Sequence, residues 1–405
     1  MAVPIKDAAN AVPGYPARAF GASAPAAYAN PQQPASSPAA YANPQQPAAE
    51  RPVTAPLSEQ QIKRLTDQGF SRGLAQSLND AKKSFSKRIW IVDNSGSMQT
   101  CDGHRMAETR NRKTIKMIEC SRWEEIQECV KYHTQLSGLL EAPTSFRLLN
   151  DPGAAVGPQQ FHVATGSVES IPGDVQNGLR IMQRARPGGC TPLTQHILEI
   201  HREVSAMAPT LRANGQRVTI QIATDGLPSD LRGYSRQEHR DEFVEALRSL
   251  EGLPVWVVVR LCTDEEDVVN FYNELDSVLE LSMEVLDDFV GEAEEVHEHN
   301  PWLNYALPIH RMREMGYHDR VFDMLDERKL TKSELRDFCY LLFGEGSMDG
   351  VADPNVEWHE FCKDMDRLLR KEEQQWDPIK KRMKPWVDLH TLNYMYGDGS
   401  ACAIL

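Results

Sequence analysis

Three short apolar runs rich in β-branched residues predict buried β-strands. They are KRIWIV at 87–92, RVTIQIAT at 217–224 and PVWVVVRL at 254–261. Continuous apolar runs of this length suit strands that are covered on both faces. Between the runs, apolar residues recur at steps of three and four, and one such helical stripe holds Leu193, Ile197, Ile200, Val204, Met207 and Leu211. Strands that alternate with helices predict an α/β fold with a doubly wound, Rossmann-like, mainly parallel sheet.

Helical patterns lie on either side of this strand-rich region. Ser58 and Gln61 have the spacing of a capping box and predict the start of a helix. Beyond about residue 290 the strand signals stop, while Thr331 and Glu334 repeat the capping-box spacing. We read the acidic stretch DDFVGEAEEVHEHN at 287–300 as a solvated linker, because its two histidines alternate instead of recurring at i, i+4.

The first part of the chain is of low complexity. The block PAAYANPQQPA begins at Pro25 and is repeated identically from Pro38. Such a proline-rich segment has little to bury, so a disordered linker is favoured over the alternative of a docking tail. We therefore divide the chain into a disordered arm at 1–57, a helical segment at 58–86, an α/β domain at 87–290, a helical domain at 291–385 and a flexible tail at 386–405.

Composition narrows the possible partners and the compartment. The formal net charge is −14 and the sequence pI is about 5.4, so the chain has no basic field with which to hold nucleic acid. The first twenty residues lack the apolar run of a signal peptide, and no later run reaches the length of a membrane span. Eight cysteines without C-x-x-C spacing argue against a disulfide framework or a cysteine zinc site. We expect a cytoplasmic protein with reduced thiols.

Oxygen-bearing side chains follow two of the predicted strands. The first strand ends in Asp93, and Ser95 and Ser97 alternate after it around Gly96, which eases a tight turn. Ligands bind at the carboxyl ends of strands in doubly wound sheets, so this loop is placed for binding. Carboxylate and hydroxyl oxygens around a small space suit magnesium.

Two further loops add to this pattern. PGGCTPL at 187–193 brings Thr191 to the start of a helix, and ATDGLPSD brings Asp225 to the carboxyl end of the second strand. In order, spacing and strand context these pieces resemble the metal-ion-dependent adhesion site (MIDAS) of von Willebrand factor A (VWA) domains. The resemblance covers about residues 85–290.

The resemblance implies a ligand set and a mode of binding. Ser95, Ser97 and Thr191 would supply hydroxyl ligands to Mg²⁺ or Mn²⁺, while Asp93 and Asp225 would hold metal-bound waters. One metal position would stay open for an Asp or Glu carboxylate of a partner protein. We therefore expect an intracellular protein-interaction module, and not an enzyme, since the sequence has no nucleophile elbow, P-loop or His/Glu zinc motif.

An insertion separates the first loop from the first predicted helix, which lies around SRWEEIQECV. We expect the insertion at 99–118 to form a long loop beside the site, where it can shape ligand choice. Asp102, His104 and Glu108 lie within it. We interpret them as ordinary residues of a hydrophilic loop and not as a second metal site.

A second function is suggested by residues 58–78, which resemble the first two helices of a ubiquitin-associated domain. Gly69 and Phe70 would match the loop of that family that touches ubiquitin, which would make the protein a ubiquitin-pathway adaptor. The third helix of that family is missing, because AKKSFSKRIWIV leads directly into the first strand. A helix pair packed on the α/β domain, with Phe70 buried, is therefore favoured.

A third function depends on the end of the chain. Cys402, Ala403, Ile404 and Leu405 match a C-a-a-X prenylation box, and the final leucine points to a geranylgeranyl group. One lipid anchors only marginally, and KKRMK at 380–384 could supply the second signal. The alternatives without a membrane function are a frayed apolar tail for the last four residues and a cluster of charge on a helix surface for residues 380–384. Modification of Cys402 would make the protein a scaffold tethered at the cytoplasmic face of a membrane.

Overall fold

The computed structural model of the protein describes residues 56–108 and 115–397. These residues belong to one compact unit. Residues 1–55 of the predicted disordered arm, the middle of the predicted insertion and the predicted lipidation site Cys402 lie outside the described residues.

The strands of this part of the chain form one large sheet and two hairpins. They are β1 Phe85–Val92, β2 Gly103–Glu108, β3 Ile115–Cys120, β4 Thr144–Leu148, β5 Gln160–Val163, β6 Arg217–Thr224, β7 Val255–Leu261, β8 Met283–Leu286, β9 Gln375–Asp377 and β10 Arg382–Lys384. The central sheet has six strands in the order β5-β4-β1-β6-β7-β8. Only β5 runs antiparallel to its neighbour within this sheet.

The helices are distributed along the whole of the described chain. They are α1 Glu59–Thr66, α2 Arg72–Ser84, α3 Arg122–Leu140, α4 Ile171–Arg184, α5 Leu193–Ala213, α6 Gln237–Arg248, α7 Glu266–Val278, α8 Phe289–His299, α9 Leu307–Glu314, α10 Arg320–Glu327, α11 Lys332–Phe343, α12 Glu345–Met348, α13 Trp358–Leu369 and α14 Leu389–Tyr396. Both predicted capping boxes are present, Ser58 with Gln61 and Thr331 with Glu334.

Strand β1 shows how the sheet is covered. Its residues alternate between two faces, as the period of a strand requires. Ile89 and Ile91 pack in a cluster with residues of α5, α6 and α7, whereas Trp90 and Val92 pack in another cluster with residues of α3 and α4. The sheet therefore has a hydrophobic core on each face, which explains the uninterrupted apolar runs. The predicted α/β fold with a mainly parallel sheet is confirmed.

Four details differ from the expectations. The predicted flexible tail at 386–405 contains helix α14, and Trp386 and Leu392 are buried there. The insertion contains an antiparallel hairpin, since β2 pairs with β3. Strands do occur beyond residue 290, where β9 pairs with β10. The stretch predicted to be a solvated linker is helix α8, and Phe289, Ala293 and Val296 on it are buried. Its many acidic residues mask these apolar positions at i, i+4 and i+7, which form the buried stripe of the helix.

A third cluster of buried side chains joins the two helical parts of the chain. It includes residues of α1 and α2, the end of α3, and helices from α8 to α14. Phe70, in the turn between α1 and α2, is 3% exposed and belongs to this cluster. Gly73 of α2 lies against the backbone at the end of α11, and the Ser71 hydroxyl donates a hydrogen bond to the Leu342 carbonyl. The helix pair α1–α2 thus packs against the helices from α8 to α14, which we call the helical cover.

The crossing of α2 and α11 is tight enough to exclude a methyl group. A Cβ at Gly73 would lie 2.3 Å from the Gly344 nitrogen and 2.5 Å from the Leu341 carbonyl oxygen. We predict that Gly73→Ala lowers the free energy of unfolding by about 3 kcal/mol, because backbone cannot move aside as a flexible side chain can. Urea unfolding followed by circular dichroism measures this.

Gly173, near the start of α4, provides the matched control. A Cβ there would meet nothing within 4 Å. Gly173→Ala should therefore raise the free energy of unfolding slightly, by up to about 1 kcal/mol, through the better helix propensity of alanine. Equal behaviour of the two variants would contradict the packing of α2 on α11.

Candidate metal centre

Two neighbouring parallel strands bring the two candidate aspartates together. Val92 at the end of β1 is in register with Ala223 of β6. The Asp93 amide donates a hydrogen bond to the Ala223 carbonyl over 2.9 Å, so Asp93 and Asp225 leave the same edge of the sheet. Both residues are buried.

The hydroxyl groups of the first loop connect these carboxylates. The Ser95 and Ser97 hydroxyl oxygens lie 3.0 Å apart. The Ser97 hydroxyl donates to Asp225 Oδ1 over 2.9 Å. The Ser95 amide donates to Asp93 Oδ1 over 2.7 Å. Four of the five predicted site residues therefore form one continuous polar cluster.

Thr191 approaches the same cluster from the loop before α5. A Cβ at Gly226, beside Asp225, would lie 3.6 Å from the Thr191 hydroxyl oxygen. The Thr191 amide donates to the Ser229 hydroxyl over 2.9 Å, and the Ser229 amide donates to the Thr191 carbonyl over 3.0 Å. The threonine loop and the loop after β6 are thus joined, and the Thr191 hydroxyl lies beside Gly226, the residue after Asp225.

Two asparagines that the sequence analysis did not single out connect the loop after β1 with the threonine loop. The Asn94 side chain donates to the Asn150 carbonyl over 3.0 Å and accepts from the Asn150 amide over 2.8 Å. The Asn150 side chain then donates to the Cys190 carbonyl over 2.8 Å. Gly189 has a φ of +93° and packs directly on Asn150, where a Cβ would lie 2.5 Å from its side-chain oxygen. Glycine is required here both for its backbone conformation and for the close approach.

Burial raises the pKa of both carboxylates of the cluster. Burial and the neighbouring Asp225 charge raise the pKa of Asp93 to about 6, although hydrogen bonds from Thr224 and Ser95 oppose this. Burial also raises the pKa of Asp225, against hydrogen bonds from Ser97 and Arg122. A divalent cation would stabilise the ionised form of both groups, because an opposite charge nearby favours ionisation.

Arg122, the first residue of α3, is a further member of the site that sequence reasoning missed. Its guanidinium group is 3.1 Å from Asp225 Oδ2, 2.6 Å from Asp102 Oδ2 and 3.0 Å from Glu265 Oε1. The side chain is buried. An arginine directly after a serine helix cap gives no sequence signal of its own, since its three partners come from three different segments.

Two of the insertion residues considered as a second metal site, Asp102 and His104, have other partners. Asp102 pairs with Arg122. The His104 amide donates to Glu125 Oε2 over 2.8 Å, and its ring nitrogen lies 3.7 Å from an Asp288 oxygen. The hairpin therefore contacts the candidate metal centre through Asp102 and contacts α3 through His104.

Comparisons with known proteins add no relative. No protein-family model matches the chain, and no match is found among curated proteins. Within the described ranges, no helix is both long enough and apolar enough to cross a membrane.

The burial of Arg122 generates a prediction about stability. Arg122→Gln leaves a buried carboxylate without its cation, so the free energy of unfolding measured in chelator should fall by about 3 kcal/mol. Added Mg²⁺ should restore more stability to this variant than to the wild type, because a cation again faces Asp225. Chemical unfolding with and without Mg²⁺ measures both effects.

Arg72 is the matched control, because it is also the first residue of a helix after a serine cap. Its partner is Glu59, and the two side chains are 53% and 77% exposed. Arg72→Gln should change stability by less than about 1 kcal/mol, since exposed ion pairs contribute little. A loss as large as that of Arg122→Gln would show that the Asp225 contact is not what stabilises the fold.

Proposed function

We propose that the protein is a VWA-type interaction module that binds Mg²⁺ or Mn²⁺ and, through it, an acidic residue of a partner protein. The observation that supports this most directly is the polar chain of Ser95, Ser97 and Asp225, with Asp93 beside it, at the carboxyl edge of a mainly parallel sheet. Its order along the chain is that of a metal-ion-dependent adhesion site.

The chemistry of the donor set fits a hard divalent cation. Ser95, Ser97 and Thr191 offer hydroxyl oxygens, and Asp93 and Asp225 offer carboxylates whose ionisation is disfavoured in the absence of a cation. Oxygen ligands with retained waters are what magnesium prefers. The three hydroxyl residues would bind the ion directly, and the two aspartates would hold its waters.

Two carboxylates neutralise a divalent ion, which is then receptive to one more anion. Arg122 adds positive charge beside Asp225, although it shares that charge with Asp102 and Glu265. A partner carboxylate would therefore meet an ion whose charge Asp93 and Asp225 balance, while Arg122 offsets one of the two further carboxylates, Asp102 and Glu265. Because Asp102 lies just before the β2–β3 hairpin, the position of the hairpin and the charge at the site are linked through Arg122.

The alternative functions receive less support. A ubiquitin-pathway adaptor requires a free Phe70 surface, and Phe70 is buried in the core formed with the helical cover. A prenylated scaffold depends on Cys402, which lies outside the described residues. Within the basic segment at 380–384, Lys384 is engaged with Asp377 and Asp388, whereas Arg382 is exposed.

Metal binding is tested directly by calorimetry. We predict that the wild-type protein binds one Mg²⁺ and that Asp225→Ala abolishes the binding, because the variant loses the carboxylate that faces Ser97. Asp241→Ala, which removes an exposed carboxylate on α6, is the control and should bind as the wild type does. Equal Mg²⁺ affinity in folded wild-type and Asp225→Ala protein would refute the assignment.

Partner capture through the metal forms a separate prediction. Proteins that bind the wild-type chain in a cell extract should be released by chelator and lost with Ser95→Ala, because both changes remove the open metal position. Ser277→Ala, which alters an exposed hydroxyl at the end of α7, should retain them. Partners that survive both chelation and Ser95→Ala would place the interaction surface elsewhere on the protein.

A further inference from the structure

A second group of metal-binding side chains lies between α3 and α9, away from the site described above. Cys129 and His133 are one helical turn apart on α3, and Glu314 ends α9. One ligand atom from each of the three lies within 4.8 Å of the other two. All three residues are buried.

Two distances within this group, to the two different oxygens of Glu314, are close to those between ligands of one tetrahedral ion. The Cys129 sulfur lies 3.3 Å from Glu314 Oε1, and His133 Nε2 lies 3.0 Å from Glu314 Oε2. With zinc bonds of about 2.3 Å to sulfur and about 2.0 Å to nitrogen or oxygen, neighbouring ligands of a tetrahedral zinc ion are roughly 3.3–3.6 Å apart. Small movements of the side chains would therefore suffice to enclose the ion.

A cavity beside the group leaves space for an ion and for a fourth ligand. The cavity has a volume of about 190 Å³ and lies where α3, α9 and the β2–β3 hairpin meet. Cys129, Glu314 and His310 are among the residues that line it. The His310 Nε2 atom is buried without a satisfactory hydrogen-bond partner and lies 3.3 Å from Glu314 Oε1. Such a nitrogen can offer its lone pair to a metal ion, or form a hydrogen bond with a water bound to the ion.

The charges around the group are compatible with a dication. A deprotonated Cys129 and the Glu314 carboxylate would balance zinc. Two guanidinium groups add positive charge near Glu314. Arg260 shares its charge with Glu125. Arg311 forms an ion pair with Glu314 and lies over the Tyr132 ring, 5.1 Å from its centroid. Burial lowers the pKa of His133 and raises the pKa of the Cys129 thiol, so the imidazole is neutral and the metal ion has to displace the thiol proton.

We propose that Cys129, His133 and Glu314 form a three-residue site for Zn²⁺ or a similar borderline transition-metal ion, with the fourth position facing His310 and the cavity. A thiolate, an imidazole and a carboxylate with one open position form the donor set of an accessible zinc site and not of a magnesium site. Binding releases the thiol proton of Cys129 to solvent, and the neutral His133 imidazole then carries its proton on Nδ1 so that Nε2 can bind the ion. The proposal is independent of the Mg²⁺ site on the sheet edge.

Cobalt substitution in the full-length chain tests the site, because a cobalt–thiolate bond has its own charge-transfer absorption. The chelator-stripped protein is titrated with Co²⁺ and then Zn²⁺ in excess Mg²⁺. We expect one Co²⁺ per chain with thiolate absorption, which Zn²⁺ abolishes by displacement, and an unchanged result for Asp225→Ala. Absence of thiolate absorption in the wild type would overturn the proposal and leave a buried hydrogen-bond network only.

Variants assign the ligands. Cys129→Ser and His133→Gln should weaken Zn²⁺ binding more than about 100-fold, since loss of even an outer-sphere partner costs 10–100-fold. Cys339→Ser, which alters an equally buried thiol within the helical cover, should bind as the wild type does. Unchanged affinity in Cys129→Ser would overturn the assignment. Should that variant fail to fold, the wild-type cobalt spectrum and His133→Gln still decide the question.

Discussion

The docking of the helical cover on the α/β part depends on one buried carboxylate, that of Glu314. It accepts hydrogen bonds from His133 and Cys129 of α3 and from Arg311 of its own helix, and Arg260 of β7 lies 3.6 Å away. Burial by itself would raise the pKa of Glu314, but Arg311 and the two neighbouring histidines hold it well below its usual range. Desolvating such an ion costs several kcal/mol unless its partners are all in place. Helix α9 can therefore be seated stably only where α3 and β7 meet it.

Arg313, the residue before Glu314 in α9, is a second buried charge and has the opposite sign. Arg313 is buried and pairs with Glu284 of β8, Glu292 of α8 and Asp326 of α10. Two successive residues of one short helix thus carry opposite buried charges toward different neighbours. A rotation of α9 would leave both unpaired, which is far more costly than the loss of an apolar contact. Ile309 and Met312 of the same helix belong to the hydrophobic cluster. Their burial stabilises the packing of α9 but does not fix its orientation, because the hydrophobic effect is non-directional.

Helix α3 links the two candidate metal sites. It begins at Arg122, which contacts Asp225 at the edge of the sheet, and it carries His133 eleven residues later. At about 1.5 Å per residue the two positions are roughly 16 Å apart along one rigid element. The β2–β3 hairpin lies beside both, because Asp102 before it pairs with Arg122 and its Met106 lines the cavity next to Cys129. The hairpin segment thus contacts residues of both candidate sites.

The sequence by itself determined the alternation of strands and helices and the candidate residues of the loops after β1 and β6. Apolar runs and capping boxes are local signals, and the parallel pairing of β1 with β6 then brings Asp93 and Asp225 to one edge. Only the tertiary structure decided that Arg122 faces Asp225 and that Glu314 meets Cys129 and His133. These contacts join residues from 103 to 185 positions apart, where the residue type is ordinary and the surroundings alone create the chemistry. No periodicity within one element encodes such a contact, because it depends on how separate elements pack.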